Sequence, residues 1–321
     1  MTLTDEQTAW FQASFNQLVN NVDQVVVGKR HVIELAFTTM ISQGHLLLED
    51  VPGTGKTSLA RAMGETVGGT SSRIQFTPDL LPGDVTGITV YDQKNREFEF
   101  HAGPVFANVV LADEINRASP KTQSALLEVM EEGQVTVDGV TRLVGEPFLV
   151  VATQNPIESG GTYRLPEAQL DRFLIKTSLG YPDAAATMRI LQGVGEGRKR
   201  LPAVVTTEGV NQLTEMANQV FVAPTIIDYI SRIVEATRNA VQVRLGASVR
   251  GAMGLARASK TWAVAHGRNY VTPDDVKALA AVVLEHRLIL EAEAEFDGLT
   301  ASQVIAQILL DVPPPSEGEG V

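Results

Sequence analysis

The chain has 321 residues, of which 44 % are apolar, and its formal net charge is −12. This length allows two domains, and the apolar content is sufficient for a packed core in each. The sequence contains no cysteine, which excludes disulfides, zinc sites built on thiolates and cysteine nucleophiles. The negative charge opposes binding to nucleic acid phosphates and to acidic membrane surfaces. No apolar run approaches the ~18 residues of a membrane span, and the first residues lack the basic start of a signal peptide, so we expect a cytoplasmic protein.

The first part of the chain alternates helical patterns with short aliphatic runs. Helices are predicted over 4–20 and 29–43, and a capping box between Thr4 and Gln7 marks the start of the first. The aliphatic and β-branched runs lie at 46–48, 73–76, 109–112, 148–152 and 174–179. Such runs between helices predict a parallel sheet covered by helices on both faces. We therefore expect an α/β domain over residues 1–190.

Two hairpins and a helical region are predicted to follow or interrupt this pattern. The first hairpin joins 87–91 to 97–101, and the second joins 135–137 to 140–143 through an Asp-Gly pair that favours a tight turn. A linker over 193–204 leads into a mostly helical stretch, where Thr272 and Pro273 mark one helix start. We expect a smaller all-helical domain over 205–312 and a disordered tail over 313–321.

Residues 49–58 have the pattern of a phosphate-binding loop between a strand and a helix. The glycines let backbone N–H groups turn toward phosphates, and Lys56 supplies a positive charge for the β- and γ-phosphates. Thr57 offers a hydroxyl to Mg²⁺. Asp50 replaces the first glycine of the usual motif, and we expect its carboxylate to face away from the phosphates. The residues predicted to contact ATP in this loop are Pro52, Gly53, Thr54, Gly55, Lys56, Thr57 and Ser58.

Polar side chains follow two more of the predicted strands. The strand at 109–112 ends in Asp113 and Glu114, and the strand at 148–152 is followed by Asn155. Ligands bind at the carboxyl ends of strands in a parallel sheet, so Asp113 is expected to hold Mg²⁺, directly or through water. Glu114 is expected to orient or deprotonate the attacking water. Asn155 could position this water, or could simply form an Asn-Pro turn.

Three arginines are candidates for contacts with phosphates. Arg172 directly precedes the last predicted strand and is well placed to act on the nucleotide of a neighbouring subunit, the role of an arginine finger. An ordinary ion pair with Asp171 or another acid is the alternative explanation. Arg164, after a glycine-rich loop, is a rival for the same role. Arg250 lies in the first turn of a predicted helix, where the helix dipole disfavours a cation, and this position indicates an anionic partner.

Together these motifs resemble those of AAA+ ATPases, specifically the MoxR family. The resemblance covers residues 20–312 and includes Gly-Thr-Gly-Lys-Thr at 53–57, Ala-Asp-Glu-Ile-Asn-Arg at 112–117, Thr-Gln-Asn-Pro at 153–156, Leu-Asp-Arg-Phe at 170–173 and Gly-Ala-Ser-Val-Arg at 246–250. It implies that 50–57 and 109–114 are Walker A and Walker B. Sensor 1, the arginine finger and sensor 2 would be Asn155, Arg172 and Arg250. Val27 and Gly28 would lie beside the adenine.

The resemblance also implies a function and an assembly. The hairpin at 87–101 resembles the insert in helix 2 of this branch, and the hairpin at 135–143 resembles the one before sensor 1. MoxR-like proteins usually form hexameric rings and act as chaperone-like remodelling ATPases. Partners with a von Willebrand factor A domain are common, in metal-cofactor insertion or in the maturation of complexes. Whether Arg250 acts in its own subunit or in a neighbouring one stays open.

Two other functions compete with a protein-remodelling ATPase. A nucleic-acid motor would need basic hairpins, but residues 83–101 carry four acids and two bases, and residues 131–146 carry four acids and one base. A scaffold that binds nucleotide without hydrolysing it would not need Glu114. The sequence therefore favours an ATPase that acts on proteins.

Overall fold

A computed structural model describes residues 3–51, 53–155, 163, 165–193 and 200–315. Pro52, Arg164 and residues 316–321 of the predicted tail lie outside the described residues, as do residues 194–199 of the predicted linker. No helix within the described ranges is both long enough and apolar enough to cross a membrane.

The α/β part begins with two helices and contains nine strands. In chain order its elements are α1 (Asp5–Asp23), α2 (Arg30–Ile41), β1 (Leu46–Glu49), α3 (Lys56–Thr66), β2 (Ser71–Gln75), α4 (Pro82–Thr86), β3 (Gly87–Asp92), β4 (Glu97–Ala102), β5 (Val109–Asp113), α5 (Pro120–Glu132), β6 (Gln134–Val137), β7 (Val140–Leu143), β8 (Leu149–Gln154), α6 (Glu167–Leu170), β9 (Ile175–Thr177) and α7 (Ala184–Leu191). These bounds apply to the described residues.

The C-terminal part is mainly helical. Its elements are α8 (Thr207–Asn218), α9 (Pro224–Asn239), β10 (Val243–Leu245), α10 (Val249–Ala265), α11 (Pro273–Leu284), β11 (Ile289–Leu290), α12 (Ala292–Phe296) and α13 (Ala301–Asp311). It is not the entirely helical part that the sequence had predicted, because β10 and β11 pair antiparallel. Runs of two or three residues carry no usable periodicity, so the sequence pattern does not reveal this pair.

The central sheet has five parallel strands in the order β2-β5-β8-β1-β9, which confirms the predicted parallel sheet. Successive residues of its strands face opposite sides, so Leu46 and Leu48 join one hydrophobic cluster and Leu47 joins the other. Because β5 and β8 are covered on both faces, each begins with four consecutive apolar residues. Their carboxyl ends lie at one edge of the sheet, where polar side chains begin.

One hydrophobic cluster is shared between the two parts of the chain. Phe11 of α1, Phe37 of α2 and Leu255 of α10 all belong to it, together with one face of the sheet. The other cluster lies between the opposite face and α5 and contains Phe76 and Phe173. The helical part therefore packs on α1 and α2 without a break in the core. The domain boundaries near 190 and 205 stay predictions.

Both predicted hairpins are present as separate two-stranded units. β3 pairs with β4 from Gly87↔Ala102 to Asp92↔Glu97, and β6 pairs with β7 around Asp138 and Gly139. The hairpins also contact each other, since the Arg142 guanidinium lies over the Phe100 ring at 3.8 Å from its centroid. The first hairpin exposes Tyr91 and Phe98 to solvent.

Candidate active site

The loop between β1 and α3 has the backbone geometry of a phosphate-binding loop. Gly53 and Gly55 have φ angles of +85° and +98°, in a region of backbone conformation that residues other than glycine rarely adopt. Lys56 begins α3, so the free N–H groups and the positive dipole end of this helix face the loop. The Lys56 amine donates hydrogen bonds to the carbonyls of Asp50 and Val51 at 3.1 and 3.3 Å. The amine therefore lies over the loop, where a phosphate would meet it.

The Asp50 carboxylate faces away from this loop, as the sequence predicted. It is buried and accepts hydrogen bonds from Ser178 Oγ at 3.0 Å, Leu179 N at 2.6 Å and Gly180 N at 2.8 Å. These donors lie just after β9, the neighbour of β1 in the sheet. Asp50 thus attaches the start of the loop to the adjacent connection. The sequence contained no signal that identified these partners.

The carboxylate of Asp113 lies at the end of β5 and already has two hydrogen-bond donors. Thr153 Oγ donates to one oxygen at 2.7 Å, and Arg73 Nη2 donates to the other at 2.7 Å. The Thr153 hydroxyl also accepts a hydrogen bond from the Glu114 backbone N–H at 2.8 Å. The Thr153 side chain of β8 therefore holds both the carboxylate of Asp113 and the backbone of Glu114. Sequence reasoning missed Arg73 and Thr153.

Glu114 has a φ angle of +57°, in the left-handed region that non-glycine residues rarely occupy. Such strain is often found at functional sites, where the surrounding structure maintains it. Gln75 Nε2 and Arg117 Nη1 donate to the Glu114 carboxylate at 2.7 and 3.0 Å. Arg73 and Gln75 share one face of β2 because they are two residues apart. This pair of polar residues in a strand was the signal that could have identified them.

The loop, Arg73, Gln75 and the two carboxylate residues line one cavity of about 370 Å³. Nine of the predicted site residues meet in the lining of this cavity: Gly53, Thr54, Gly55, Lys56, Thr57, Ser58, Asp113, Glu114 and Asn155. Backbone N–H groups and an amine suit phosphate oxygens, while a threonine hydroxyl and a carboxylate supply the oxygen ligands that Mg²⁺ prefers. The residues present therefore fit Mg²⁺ and a nucleotide. Their assigned roles stay predictions.

Val27 and Gly28 do not line this cavity. Val27 is buried, and Gly28 packs against α7, because a Cβ at Gly28 would lie 2.7 Å from Ala186 Cβ. Lys29 Nζ donates to the Tyr181 carbonyl at 2.7 Å in the same area. Their predicted position beside the adenine is not tested by this geometry.

Arg172 and Arg250 also lie outside the nucleotide cavity, and both form ion pairs with Glu131. Arg172 Nη2 lies 2.8 Å from one Glu131 oxygen, and Arg250 Nη2 lies 2.6 Å from the other. Within a single chain, Arg172 thus pairs with an acid of α5, in line with the alternative explanation of an ordinary ion pair. Its role across an interface stays a prediction, as does that of Arg250.

Asp171 connects the helical part to the α/β part. It accepts hydrogen bonds from Ser248 Oγ at 2.9 Å and from Arg287 Nε at 2.7 Å. Ser248 also caps α10, because its hydroxyl accepts a hydrogen bond from the Gly251 N–H. Burial lowers the pKa of Arg287, while its hydrogen bond to Asp171 raises it. The helical part is therefore attached to the α/β part at Asp171, the residue directly before Arg172.

Comparison with known families agrees with this arrangement. Residues 45–175 match the family described as "ATPase family associated with various cellular activities (AAA)", and residues 235–308 match the AAA lid domain. A crystal structure from Cytophaga hutchinsonii, of a protein proposed to be an ATPase, superposes with a TM-score of 0.91 at 38 % identity and covers 97 % of this chain and 98 % of that one. The fold and the site define a AAA+ ATPase with a helical lid.

Curated relatives narrow the class further. The chain is 42 % identical to the chaperone MoxR1 of Mycobacterium tuberculosis, over 94 % of this chain and 82 % of that protein. It is 31 % identical to the protein MoxR of Paracoccus denitrificans, over 91 % and 93 %. It is 47 % identical to the uncharacterized protein YeaC of Bacillus subtilis, over 94 % and 95 %. The chain belongs to the MoxR family of AAA+ ATPases.

Proposed function

We propose that this protein hydrolyses ATP in a Mg²⁺-dependent reaction and uses this turnover to remodel protein complexes or to mature them. The observation that carries the proposal is the single cavity in which the phosphate-binding loop meets Asp113, Glu114 and Asn155. Membership of the MoxR family supports the second part, since one relative is named as a chaperone.

Different residues of the cavity would bind the phosphates and the Mg²⁺ ion. The loop N–H groups and the Lys56 amine would hold the β- and γ-phosphates. Thr57 and Asp113 would provide oxygens for Mg²⁺. Mg²⁺ and ATP, once bound, supply the cation and the phosphoryl group that the reaction needs.

Glu114 would orient the attacking water and accept its proton, with Asn155 holding the same water. Hydrogen bonds from Gln75 and Arg117 hold the Glu114 carboxylate at the edge of the cavity, so the carboxylate is oriented before a ligand binds. Its side chain is largely shielded from solvent, which strengthens these hydrogen bonds.

We also propose a homo-oligomeric ring, which the family resemblance suggests is a hexamer. Arg172 and Arg250 are separated from the nucleotide cavity of their own chain, and this separation supports their action on the nucleotide of a neighbouring subunit. The client is proposed to be a protein that contacts the exposed aromatic residues Tyr91 and Phe98 of the acidic first hairpin. A partner with a von Willebrand factor A domain is proposed from the resemblance alone, as is action in the cytoplasm.

ATP hydrolysis is tested with the purified protein and two variants. Lys56→Ala should lose tight ATP binding, because the cation that meets the phosphates is gone. Glu114→Gln should bind ATP with Mg²⁺ but hydrolyse it at least about a hundredfold more slowly, because the amide cannot accept the proton. Parental turnover in either variant would contradict its assigned role. Parental protein that binds ATP without turnover would favour the nucleotide-switched scaffold.

The class of client is tested with Glu114→Gln protein held in the ATP-bound state. It is presented to native lysate and, separately, to labelled single- and double-stranded DNA at physiological salt. The matched control is Lys56→Ala, which should not assume the ATP-bound state. We expect ATP-dependent retention of proteins and no retention of DNA. Retention of DNA without protein would favour the nucleic-acid motor instead.

A further inference from the structure

A buried glutamine of α5 is hydrogen-bonded to three backbone carbonyls outside its own helix. Gln123 is 1 % exposed, and its Nε2 atom donates to the carbonyls of Ile115 and Ala118, each at 3.2 Å, and to that of Tyr163 at 3.1 Å. An amide nitrogen carries two hydrogens, so the three carbonyls share them, which agrees with these rather long distances. The donors of this side chain are therefore used on the backbone of two other segments.

Two of the three carbonyls belong to the turn that presents Glu114, residues 114–118, which we call the Glu114 turn. This turn follows β5 directly and contains the short 3-10 helix Ile115–Arg117. Glu114 has a left-handed φ angle, and such a conformation persists only where the surrounding structure fixes it. Thr153 accepts a hydrogen bond from the Glu114 N–H, and Gln123 donates to the carbonyls further along the turn. The backbone is thus held on both sides of Glu114.

The third carbonyl attaches a more distant segment to the same turn. The Tyr163 N–H donates to the Asn116 carbonyl at 2.6 Å, and the Tyr163 carbonyl accepts a hydrogen bond from Gln123. Both backbone groups of Tyr163 are therefore bound, one to the Glu114 turn directly and one through Gln123. Loss of the amide would free the Glu114 turn from α5 and weaken its attachment to Tyr163 at the same time.

The position of Gln123 in α5 explains how its side chain reaches the turn. α5 begins directly after its N-cap Ser119, and Gln123 is its fourth residue. Side chains of an α-helix lean toward its N-terminus, which here is the end next to the Glu114 turn. Packing alone does not require an amide at this place, because Ile115 and Ala118 belong to the hydrophobic cluster that also contains Leu126. An unbranched apolar side chain would suit the same surroundings.

We propose that Gln123 is a positioning residue for ATP hydrolysis, which holds the Glu114 turn so that the Glu114 carboxylate stays directed into the nucleotide cavity. This inference rests on the proposed ATPase function. Gln123 is not among the described residues that line the nucleotide cavity, so it acts through Glu114 and not on the nucleotide itself. Misplacement of a catalytic group by about 1 Å can cost roughly a hundredfold in rate. The expected result of losing the amide is a lower kcat with unchanged ATP binding.

The experiment compares Gln123→Met with Thr122→Val. Methionine keeps the length of the side chain and removes its donors. Thr122 is the matched control, because it is buried in the same turn of α5 and its hydroxyl donates at 2.7 Å to the carbonyl of Leu80, which is not in the Glu114 turn. Both variants should bind a fluorescent ATP analogue with the parental Kd. Gln123→Met should lose about ten- to a hundredfold in kcat, while Thr122→Val should keep the parental kcat.

A double variant separates action through Glu114 from a general effect on the protein. If Gln123 only positions the Glu114 carboxylate, Gln123→Met should change the residual kcat of Glu114→Gln very little, because the group that it positions is already lost. Two independent effects would instead multiply. A further loss in the double variant as large as the loss in Gln123→Met alone would overturn the proposal, and so would a parental kcat in Gln123→Met.

A second substitution, Gln123→Asn, covers the case in which Gln123→Met does not fold. Asparagine keeps an amide but is one methylene group too short to reach all three carbonyls, so the same selective loss of kcat is expected. Loss of ATP binding in both variants would assign Gln123 to the fold alone and overturn the proposal. Failure of the ATPase function itself looks different, because then neither the parent nor Thr122→Val would hydrolyse ATP.

Discussion

Arg73 and Asp113 form an ion pair between the neighbouring strands β2 and β5, with Arg73 Nη2 2.7 Å from Asp113 Oδ2. The guanidinium occupies one oxygen of the carboxylate that we propose as a ligand for Mg²⁺. On this proposal, Mg²⁺ and Arg73 would compete for this oxygen.

We expect Arg73→Gln to lower the Mg²⁺ concentration that gives half-maximal ATP hydrolysis by roughly two- to fivefold. An ion pair as exposed as this one contributes about 0.2–1 kcal/mol, and its loss frees Asp113 for the metal. The measurement is a Mg²⁺ titration at fixed ATP. Arg61→Gln is the control, since Arg61 pairs with Glu65 on the surface of α3. A higher half-saturating concentration would indicate that Arg73 helps to bind the nucleotide instead.

We expect Arg172→Ala to bind nucleotide normally and to hydrolyse ATP about a thousandfold more slowly, the loss typical of a missing arginine finger. Mixing it with Lys56→Ala should restore part of the activity, because some interfaces then combine an intact pocket with an intact finger. The measurement is steady-state turnover as a function of the mixing ratio. If Arg172 served only its ion pair with Glu131, turnover of the variant would stay near that of the parent.

We expect Asp50→Ala to lower the free energy of unfolding by about 2–4 kcal/mol. The buried carboxylate accepts three hydrogen bonds, two of them from backbone N–H groups that would be left without an acceptor. Urea unfolding of the two proteins measures the difference. Asp228→Ala is the control, because Asp228 forms an exposed ion pair with Arg232 and should cost less than about 1 kcal/mol. Equal effects of the two substitutions would contradict the proposed role of Asp50.

We expect the buried His45 to make the fold less stable in acid. Burial lowers its pKa from 6.5 to about 4, and both ring nitrogens are engaged, with Met130 O and with Val150 N. Between these two pH values the unfolded chain binds a proton that the folded chain does not bind, so stability falls as the pH falls. The linked contribution between pH 7 and pH 4 is about 3 kcal/mol.

Unfolding of the parent and of His45→Gln at several pH values measures this contribution. The variant should have a shallower loss of stability between pH 6.5 and 4, whatever its stability at pH 7. His286 is also buried with a lowered pKa, and its contribution has the same sign in both proteins. Identical slopes for parent and variant would show that His45 is not protonated on unfolding in this range.

We expect the double substitution of Tyr91 and Phe98 by serine to reduce protein retention by the ATP-bound Glu114→Gln ring. The two aromatic side chains are exposed, and their ring centroids lie 5.2 Å apart, so they form a small apolar surface on the hairpin. Quantitative capture from lysate measures the effect. Phe296→Ser removes an aromatic residue of α12 that is even more exposed, and it is the control. Equal loss in both variants would exclude a specific role for the hairpin.

The sequence by itself determined the parallel sheet, both hairpins and the central part of the candidate site. The reason is that these features are local. The glycines of the loop at 53–57 permit its backbone geometry. Asp113 and Asn155 reach one edge of the sheet because Asp113 ends β5 and Asn155 directly follows the parallel strand β8.

Only the tertiary structure decided which distant residues meet. The pairs Arg73–Asp113, Asp50–Ser178 and Arg250–Glu131 join residues that are 40, 128 and 119 positions apart. Such contacts depend on the order of the strands and on how the lid packs against the α/β part, and neither leaves a periodic pattern in the sequence.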